Sequence, residues 1–393
     1  MQPFIQSLKI NNLLSFGPDS PAIELGPLNV IIGANGSGKS NLFDVLALLK
    51  NAPGRFDQPI IDSGCPLSEW FWKSSKNETQ LANIVAVITL EQYPVTHTIP
   101  FCDDERVMII NEEIKSPFAN IVSQKKTISR DGLTTQVIER RLEKSLLSFP
   151  EPVFSNEQDQ NIYDVANDAL RILKSQSALI SFYQSIHIYN DWTFGRKSPL
   201  RFAQLGYLPD KWLNEDGSNL GVVLRKIKAN QKSHVRYLGF LKQLYEGVDD
   251  YEIDEYKDGT LRVYLREGER IIHAARLSDG TLRYLMLMAV LCDPEPPPVV
   301  CIEEPEMGLH PDLILPIAEA LEFAAERTQV IVTTHSDRLV DYFTHSPEVI
   351  QVCEKHEGQT YIERLNPEEL KPWLEKYSLG EYWSRGGIGG NRW

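Results

Sequence analysis

Long apolar runs are missing from this 393-residue chain. Nowhere do about 18 apolar residues follow one another, the length a helix needs to cross a bilayer. The Met-Gln-Pro-Phe start also lacks the basic segment and apolar stretch of a secretory leader. The sequence therefore predicts a cytoplasmic protein, neither secreted nor membrane-spanning. Cysteine is scarce: Cys65, Cys102, Cys292, Cys301 and Cys353 are odd in number, scattered and free of any C-x-x-C spacing. That argues against disulfides or zinc and for reduced thiols. Basic residues are in deficit, 40 Lys and Arg against 54 Asp and Glu, for a net charge of −14. A surface that coats nucleic acid all over is excluded, and only a local basic patch is left open. Sustained heptads and internal repeats are absent too, which excludes long coiled-coil arms. What remains is enough chain for one large α/β domain with an insertion, or two domains, around an ample core.

Residues 33–40 read Gly-Ala-Asn-Gly-Ser-Gly-Lys-Ser, a complete G-x-x-x-x-G-K-[ST] phosphate loop. The apolar run Leu28–Ile32 precedes it and the helical pattern Asn41–Leu49 follows. This strand, loop and helix context separates the motif from an incidental glycine turn. Glycines let the backbone curl so that successive N–H groups converge on the β- and γ-phosphates, and the helix N-terminus adds partial positive charge. Lys39 would neutralise phosphate oxygens and the Ser40 hydroxyl would be a ligand of Mg²⁺. Asn35, Gly36, Ser37, Gly38 and Asn41 complete the set expected to bind the nucleotide.

A second block of motifs lies far downstream. Arg276-Leu277-Ser278-Asp279-Gly280-Thr281 leads into a helix-period run, Leu282 to Leu291, and a proline break at Pro294–Pro298. Val299-Val300-Cys301-Ile302-Glu303-Glu304 then reads as a buried parallel strand that delivers carboxylates to the C-terminal edge of a sheet. After a helix, Leu313 to Arg327, a second such strand, Val330–Thr334, ends in His335-Ser336. Both strand tips are expected beside the phosphate loop.

This order resembles the ABC-type ATPase heads of the SMC and RecF-like families. Leu277–Thr281 resembles their signature loop, Glu303-Glu304 the Walker B acid pair, Glu306–Pro311 the D-loop and His335 the switch histidine. The whole chain, including Tyr377–Trp383 and the glycine-rich tail after it, is similar to short stand-alone bacterial AAA-type ATPases related to the ATPase part of OLD-family nucleases. The resemblance implies an α/β P-loop NTPase: a two-lobed, ABC/SMC-head-like ATPase with a mixed central sheet and an inserted, mostly helical lobe. The expected division is residues 1–104 and 266–393 as the two parts of the ATPase domain, with 105–265 inserted between them. Three departures stand out. Glu303 takes the metal-facing position where many relatives have aspartate, Leu14 of Asn12–Phe16 replaces a basic residue, and Asp279 stands where such loops often have glycine. The Asp279 carboxylate would lie near phosphate and weaken closure.

Within the insertion, Asp159 to Tyr183 and Leu220 to Tyr245 read as helices. Arg225, Lys226, Lys228, Lys232, Arg236 and Lys242 lie on the second of these without an acid among them. Such a run is usually a solvated helical face, and a DNA-contacting patch is the sharper alternative. A second cluster, Lys125, Lys126, Arg130, Arg140, Arg141 and Lys144, is diluted by acids. Trp373, Tyr377, Tyr382, Trp383 and Trp393 are expected to pack a terminal helix and tail.

By the same resemblance Glu304 positions the attacking water, His335 contacts the γ-phosphate, and Glu303 with Ser40 holds Mg²⁺ directly or through water. Ser278 and Gly280 would approach the ATP held by a second copy, which makes ATP the glue of a symmetric homodimer. The function implied is an ATP-hydrolysing switch in a DNA-associated process, repair or phage defence. OLD-type relatives carry a nuclease domain after the ATPase. Only about 40 residues follow Val349–Val352, too few for such a domain on ordinary domain sizes, so an effector nuclease is expected on a separate chain. The alternatives are a transporter-type ABC subunit and a nucleotide-bound scaffold with little turnover.

Overall fold

A computed structural model describes residues 4–73, 81–90, 93–103, 107–116, 119–129, 132–134, 177–190 and 192–390. The chain forms two compact units, each assembled from separate segments. The first comprises Met1–Gly26, Asn35–Ile186 and Cys353–Glu363; the second comprises Pro27–Ala34, His187–Val352 and Arg364–Trp393.

In chain order, β1 (Phe4–Asn11), β2 (Ile23–Glu24) and β3 (Leu28–Ile32) precede the glycine-rich loop, which opens into α1 (Lys39–Asn51) and the short α2 (Gln58–Asp62). Then come β4 (Ala82–Leu90), β5 (Tyr93–Asp103), β6 (Val107–Ser116), β7 (Ala119–Ser129) and β8 (Gly132–Thr134). With β1 and β2 these strands build the antiparallel sheet of the first unit, in the order β2-β1-β4-β5-β6-β7-β8. The period-two pattern explains the pairing: Ala82, Ile84, Ala86 and Ile88 of β4 are buried on one face. The start of the stretch expected as an insertion from residue 105 extends this sheet in its described part, through β6, β7 and β8. A helix over 177–184, α3, is anchored to the sheet by the Tyr183 hydroxyl, 2.9 Å from His97 Nδ1, while Nε2 of the same ring lies 2.9 Å from Glu112. The expected helix upstream of residue 177 and the side chains of the Lys125–Lys144 cluster lie outside the described residues.

The chain re-enters the second unit within β9 (Ile186–Tyr189), which is followed by β10 (Gln204–Leu205), α4 (Leu220–Ala229) and α5 (Gln231–Leu241). The pattern Leu220–Tyr245 is thus two helices, broken at Asn230, whose extended backbone ends one and whose side chain caps the next through Ser233 N. The antiparallel strands β11 (Val248–Glu255), β12 (Thr260–Glu267) and β13 (Arg270–His273) follow, and then α6 (Asp279–Leu291). From Thr281 to Leu291 every residue of α6 is buried, as befits a helix apolar on all sides. The remaining elements are β14 (Val299–Glu303), α7 (Ile314–Ala325), β15 (Gln329–Thr334), α8 (Asp337–Tyr342), β16 (Ile350–His356), β17 (Gln359–Arg364), α9 (Pro367–Leu374) and α10 (Leu379–Ser384).

The core of this unit is a parallel sheet in which β3 lies between β16 and β15, with β14 beyond. Every residue of β3 and β15 is buried; strands covered on both faces are mostly apolar, and the one polar residue inside β3, Asn29, donates to the Val330 carbonyl at 3.2 Å and accepts from Arg364 at 2.7 Å. The basic residues of α4 and α5 are partly spoken for. Lys226 lies 2.8 Å from the buried Asp293, Arg225 3.4 Å from Glu255, and the Arg236 guanidinium 4.6 Å from the centre of the Phe323 ring. At the C-terminal end Tyr382 stacks on Trp373 at 5.2 Å and on Tyr377 at 6.3 Å, the packing role expected of these rings; Trp393 lies outside the described residues. No described helix is long and apolar enough to cross a membrane, and all five cysteines are free thiols.

Candidate nucleotide site

Strand register in the second unit brings the downstream motifs to one edge. Glu303 of β14 pairs with Thr333 of β15, which pairs with Ile31 of β3, all parallel. The sheet edge that receives Glu303, Glu304 and His335 is therefore the edge from which Gly33 and Ala34 open the phosphate loop. Glu303 is half-buried at the end of β14. Glu304 turns sharply away from the strand, with a positive φ of 44°. Such a backbone costs a non-glycine residue about 1–2 kcal/mol and persists only where neighbours hold it. Here the Glu304 N–H donates to the Thr333 carbonyl at 3.0 Å, and Arg283 of α6 donates to the Glu304 carbonyl at 3.0 Å. The Arg283 guanidinium is itself seated over the Trp192 ring, 5.1 Å from its centre.

The turn places the Glu304 carboxylate 3.5 Å from His335 Nε2, both side chains about one-third exposed at 31% and 35%. A second acid fixes the histidine's backbone: Glu306 accepts from the Thr334 hydroxyl at 2.6 Å and from the His335 N–H at 3.0 Å. Burial pushes the Glu306 carboxyl above the usual range despite those hydrogen bonds. Glu304 and His335 are thus held in an accessible pair by strand ends, a strained turn and a half-buried acid.

The signature segment forms a second cluster in the same unit. Ser278 is the N-cap of α6; its hydroxyl accepts from Thr281 N at 3.0 Å and lies 2.8 Å from Thr281 Oγ1. The helix begins at Asp279, three residues before the helix-period run from Leu282, so its first N–H groups are those of Asp279 and Gly280. A Cβ at Gly280 would stand 3.0 Å from the Gly308 carbonyl in the D-loop segment, a tight approach that glycine relieves. His310 caps the turn that follows, accepting from Asp312 N at 3.3 Å.

The phosphate loop from Asn35 onward belongs to the first unit. Gly36 and Gly38 have φ of 78° and 111°, which turns successive N–H groups the same way. Among the described residues, the N–H groups of Asn35, Gly36, Ser37 and Gly38 donate to no other backbone carbonyl. Lys39 and Ser40 lie in the first turn of α1, and backbone donors without backbone partners just before a helix N-terminus are a setting that favours anions. The loop rests on a polar knot. The Thr360 hydroxyl of β17 donates to the Ser37 carbonyl at 2.6 Å and lies 2.6 Å from Ser15 Oγ, which accepts from Asn41 Nδ2 at 2.6 Å. A Cβ at Gly38 would fall 2.2 Å from Thr360 Oγ1 and 2.6 Å from Ser15 Oγ. Asn41 is thereby assigned a supporting contact from the loop's helix to Ser15. Cys353 of β16 lies in the same region, its thiol pushed up to about 11 by burial against the opposing pull of Ser37 and Lys39.

Sequence reasoning did not single out Ser15, Thr360 or Arg283. Ser15 sits in the Asn12–Phe16 opening, read there only for Leu14; Leu14 takes a positive φ of 53° and donates to Trp70 O at 2.6 Å. Thr360 and Arg283 carry no local signal, being defined by neighbours more than 300 and about 20 residues away in the chain. The tail also reaches the loop's origin within the second unit: a Cβ at Gly390 would come 3.3 Å from Gly33 Cα.

Comparison with known proteins agrees with this reading of the fold. The chain matches, over residues 28–86 and 129–341, the family described as "AAA domain, putative AbiEii toxin, Type IV TA system". It is 24% identical over 375 residues to the Old nuclease of Escherichia phage P2, covering 90% of this chain and 60% of the length of that protein. Among solved structures, an Smc head bound to the C-terminal winged-helix domain of ScpA superposes with a TM-score of 0.60 at 16% identity, covering 93% of this chain and 99% of the other. Smc heads with coiled coils from Pyrococcus furiosus, bound there to the C-terminal domain of ScpA, and from Pyrococcus yayanosii give TM-scores of 0.54 and 0.53 at 15% and 14% identity, each covering 95% of this chain and 99% of the other. The chain has the SMC-head fold and belongs to the family described as "AAA domain, putative AbiEii toxin, Type IV TA system".

Proposed function

We propose that this protein hydrolyses ATP, dimerises head to head around two ATP molecules, and uses that cycle as a switch in a DNA-associated defence or repair process, governing an effector such as a nuclease. The observation that carries this reading is the Glu304–His335 pair, held at 3.5 Å on a strained turn, at the sheet edge where β3 enters the phosphate loop.

Each group has a task set by its chemistry. The N–H groups of residues 35–38 and the Lys39 ammonium hold the phosphate oxygens. Ser40 and Glu303 would hold Mg²⁺, which when bound spreads charge developing on the phosphates. Glu304 accepts a hydrogen bond from the attacking water and aligns it with the phosphorus. His335 donates to a γ-phosphate oxygen from a backbone fixed by Glu306. Ser278, Gly280 and the N-terminus of α6 meet the γ-phosphate bound by the second copy. The nuclease name of the phage P2 relative supports an effector acting on nucleic acid; this chain spans only 60% of that protein.

The test is Glu304→Gln. Removing the carboxylate that orients water should slow phosphate release by about 10²–10⁴-fold, while a fluorescent ATP analogue still binds. With Mg²⁺ and ATP the variant should accumulate as a dimer in light scattering after gel filtration. Hydrolysis at the wild-type rate would overturn the assignment.

A further inference from the structure

The carboxylate of Asp279 raises a difficulty for any reading in which the N-terminus of α6 meets a phosphate, because it places a negative charge at the anion-binding end of the helix. The structure supplies an answer 78 residues earlier in the chain. Arg201, at the end of a short turn over Pro199–Arg201, is largely buried, its side chain 13% exposed. Its Nη2 donates to Asp279 Oδ1 at 2.5 Å, and the Gly195 N–H donates to the same oxygen at 2.9 Å. Its Nη1 donates to the Leu277 carbonyl at 2.7 Å and to the Ala275 carbonyl at 3.0 Å, and its Nε donates to the Gly195 carbonyl at 2.8 Å. One guanidinium therefore engages the backbone before the signature loop, the acid within it and the loop around Gly195. First the Arg201 hydrogen bond and then that of Gly195 hold the Asp279 carboxyl below the usual range.

We propose that Arg201 is a positioning residue for the signature segment. It draws the Asp279 carboxylate to one side, cancels its charge, and fixes Leu277 so that Ser278 and the first N–H groups of α6 can face the phosphate of a second copy. Five donors in a rigid fork suit this task; the single ammonium of lysine could not span the same acceptors. The inference rests on the ATP-dimer reading above and adds to it a residue that acts only through the signature loop.

The experiment uses the full-length Glu304→Gln protein, whose ATP-dependent dimer reports the reading itself. Adding Arg201→Ala should raise the protein concentration needed for half-dimerisation in Mg²⁺ and ATP at least tenfold, leaving binding of a fluorescent ATP analogue to the monomer unchanged. Adding Asp279→Asn to that double variant should restore most of the dimer, because the uncompensated charge is then gone. The Arg201→Ala defect should also shrink as salt is raised, since a charge defect is screened and a packing defect is not. Should Arg201→Ala fail to fold, Arg201→Gln keeps polar contacts without the charge and should show the same loss and the same restoration. Absence of an ATP-dependent dimer in Glu304→Gln alone overturns the functional reading and this inference with it. A dimer there that Arg201 substitutions leave unchanged overturns the inference alone, as does a loss that neither Asp279→Asn nor salt relieves.

Discussion

The phosphate loop of the first unit and the acid–histidine cluster of the second are held in different ways. The loop is set by steric exclusion: Gly38 stands where a Cβ would strike Thr360 and Ser15, and the Thr360 hydroxyl ties down the Ser37 carbonyl. The cluster is set by electrostatics and register. Parallel strands bring Glu303 and Thr333 level, Arg283 holds the Glu304 carbonyl, and the half-buried Glu306 anchors Thr334 and His335. A site held by close packing tolerates no added atom, whereas a site held by charges responds to pH and to loss of one partner.

Gly38→Ala would break this comparison most severely. A positive φ and a Cβ 2.2 Å from Thr360 Oγ1 together predict a loss of about 2–5 kcal/mol in stability from backbone strain and overpacking. Gly36→Ala is its control. At φ 78° with nothing within 4 Å of the added Cβ, it should cost only the backbone term, about 1–2 kcal/mol. Urea unfolding of the two variants checks the difference; equal losses would mean that the Ser15–Thr360 knot does not confine the loop. Thr360→Val keeps the shape and deletes the donor, so the Ser37 carbonyl loses its partner, at a cost of about 1–3 kcal/mol. Calorimetry with an ATP analogue should show weaker binding for that variant too, because Ser37 belongs to the loop.

The smallest effect should come from Glu306, and it tests the electrostatic side. Burial raises its folded-state pKa above the unfolded value, so the native state binds more protons than the unfolded one between those two values. Stability contributed by this group is therefore present at acid pH and falls as pH rises through that window. Glu306→Gln can still accept from Thr334 and His335 N and has no charge to desolvate. Unfolding curves across the window should flatten relative to wild type, the variant gaining on wild type as pH rises. A parallel pH profile would show that burial of Glu306 is not what strains the cluster.

Much of the fold was legible because the parallel strands of the second unit are buried on both faces and read as apolar runs; β3 (Leu28–Ile32) was bounded to the residue. Less was legible in β6, β7 and β8, whose polar composition suits an insertion yet whose backbone extends the antiparallel sheet. Strand pairing at a sheet's far side needs only backbone donors and acceptors, and these leave no mark in side-chain polarity. The break at Asn230 falls where the apolar spacing lapses, with only Ala229 between Ile227 and Val235, and the extended backbone of Asn230 and its cap on Ser233 set it.

By itself the sequence determined the phosphate loop, the strand that feeds it and the order of the downstream acids and histidine. Those features are local: glycine conformational freedom, a lysine and a serine at fixed spacing, and buried runs ending in charge. Tertiary structure alone decided that Glu304 turns through a left-handed backbone to meet His335, that Ser15 and Thr360 carry the loop, and that Arg201 answers Asp279. Ser15 and Thr360 lie 345 residues apart, and Arg201 and Asp279 lie 78 apart. Hydrogen bonds and ion pairs over such separations depend on where the chain is brought back upon itself, which no local spacing of residues records.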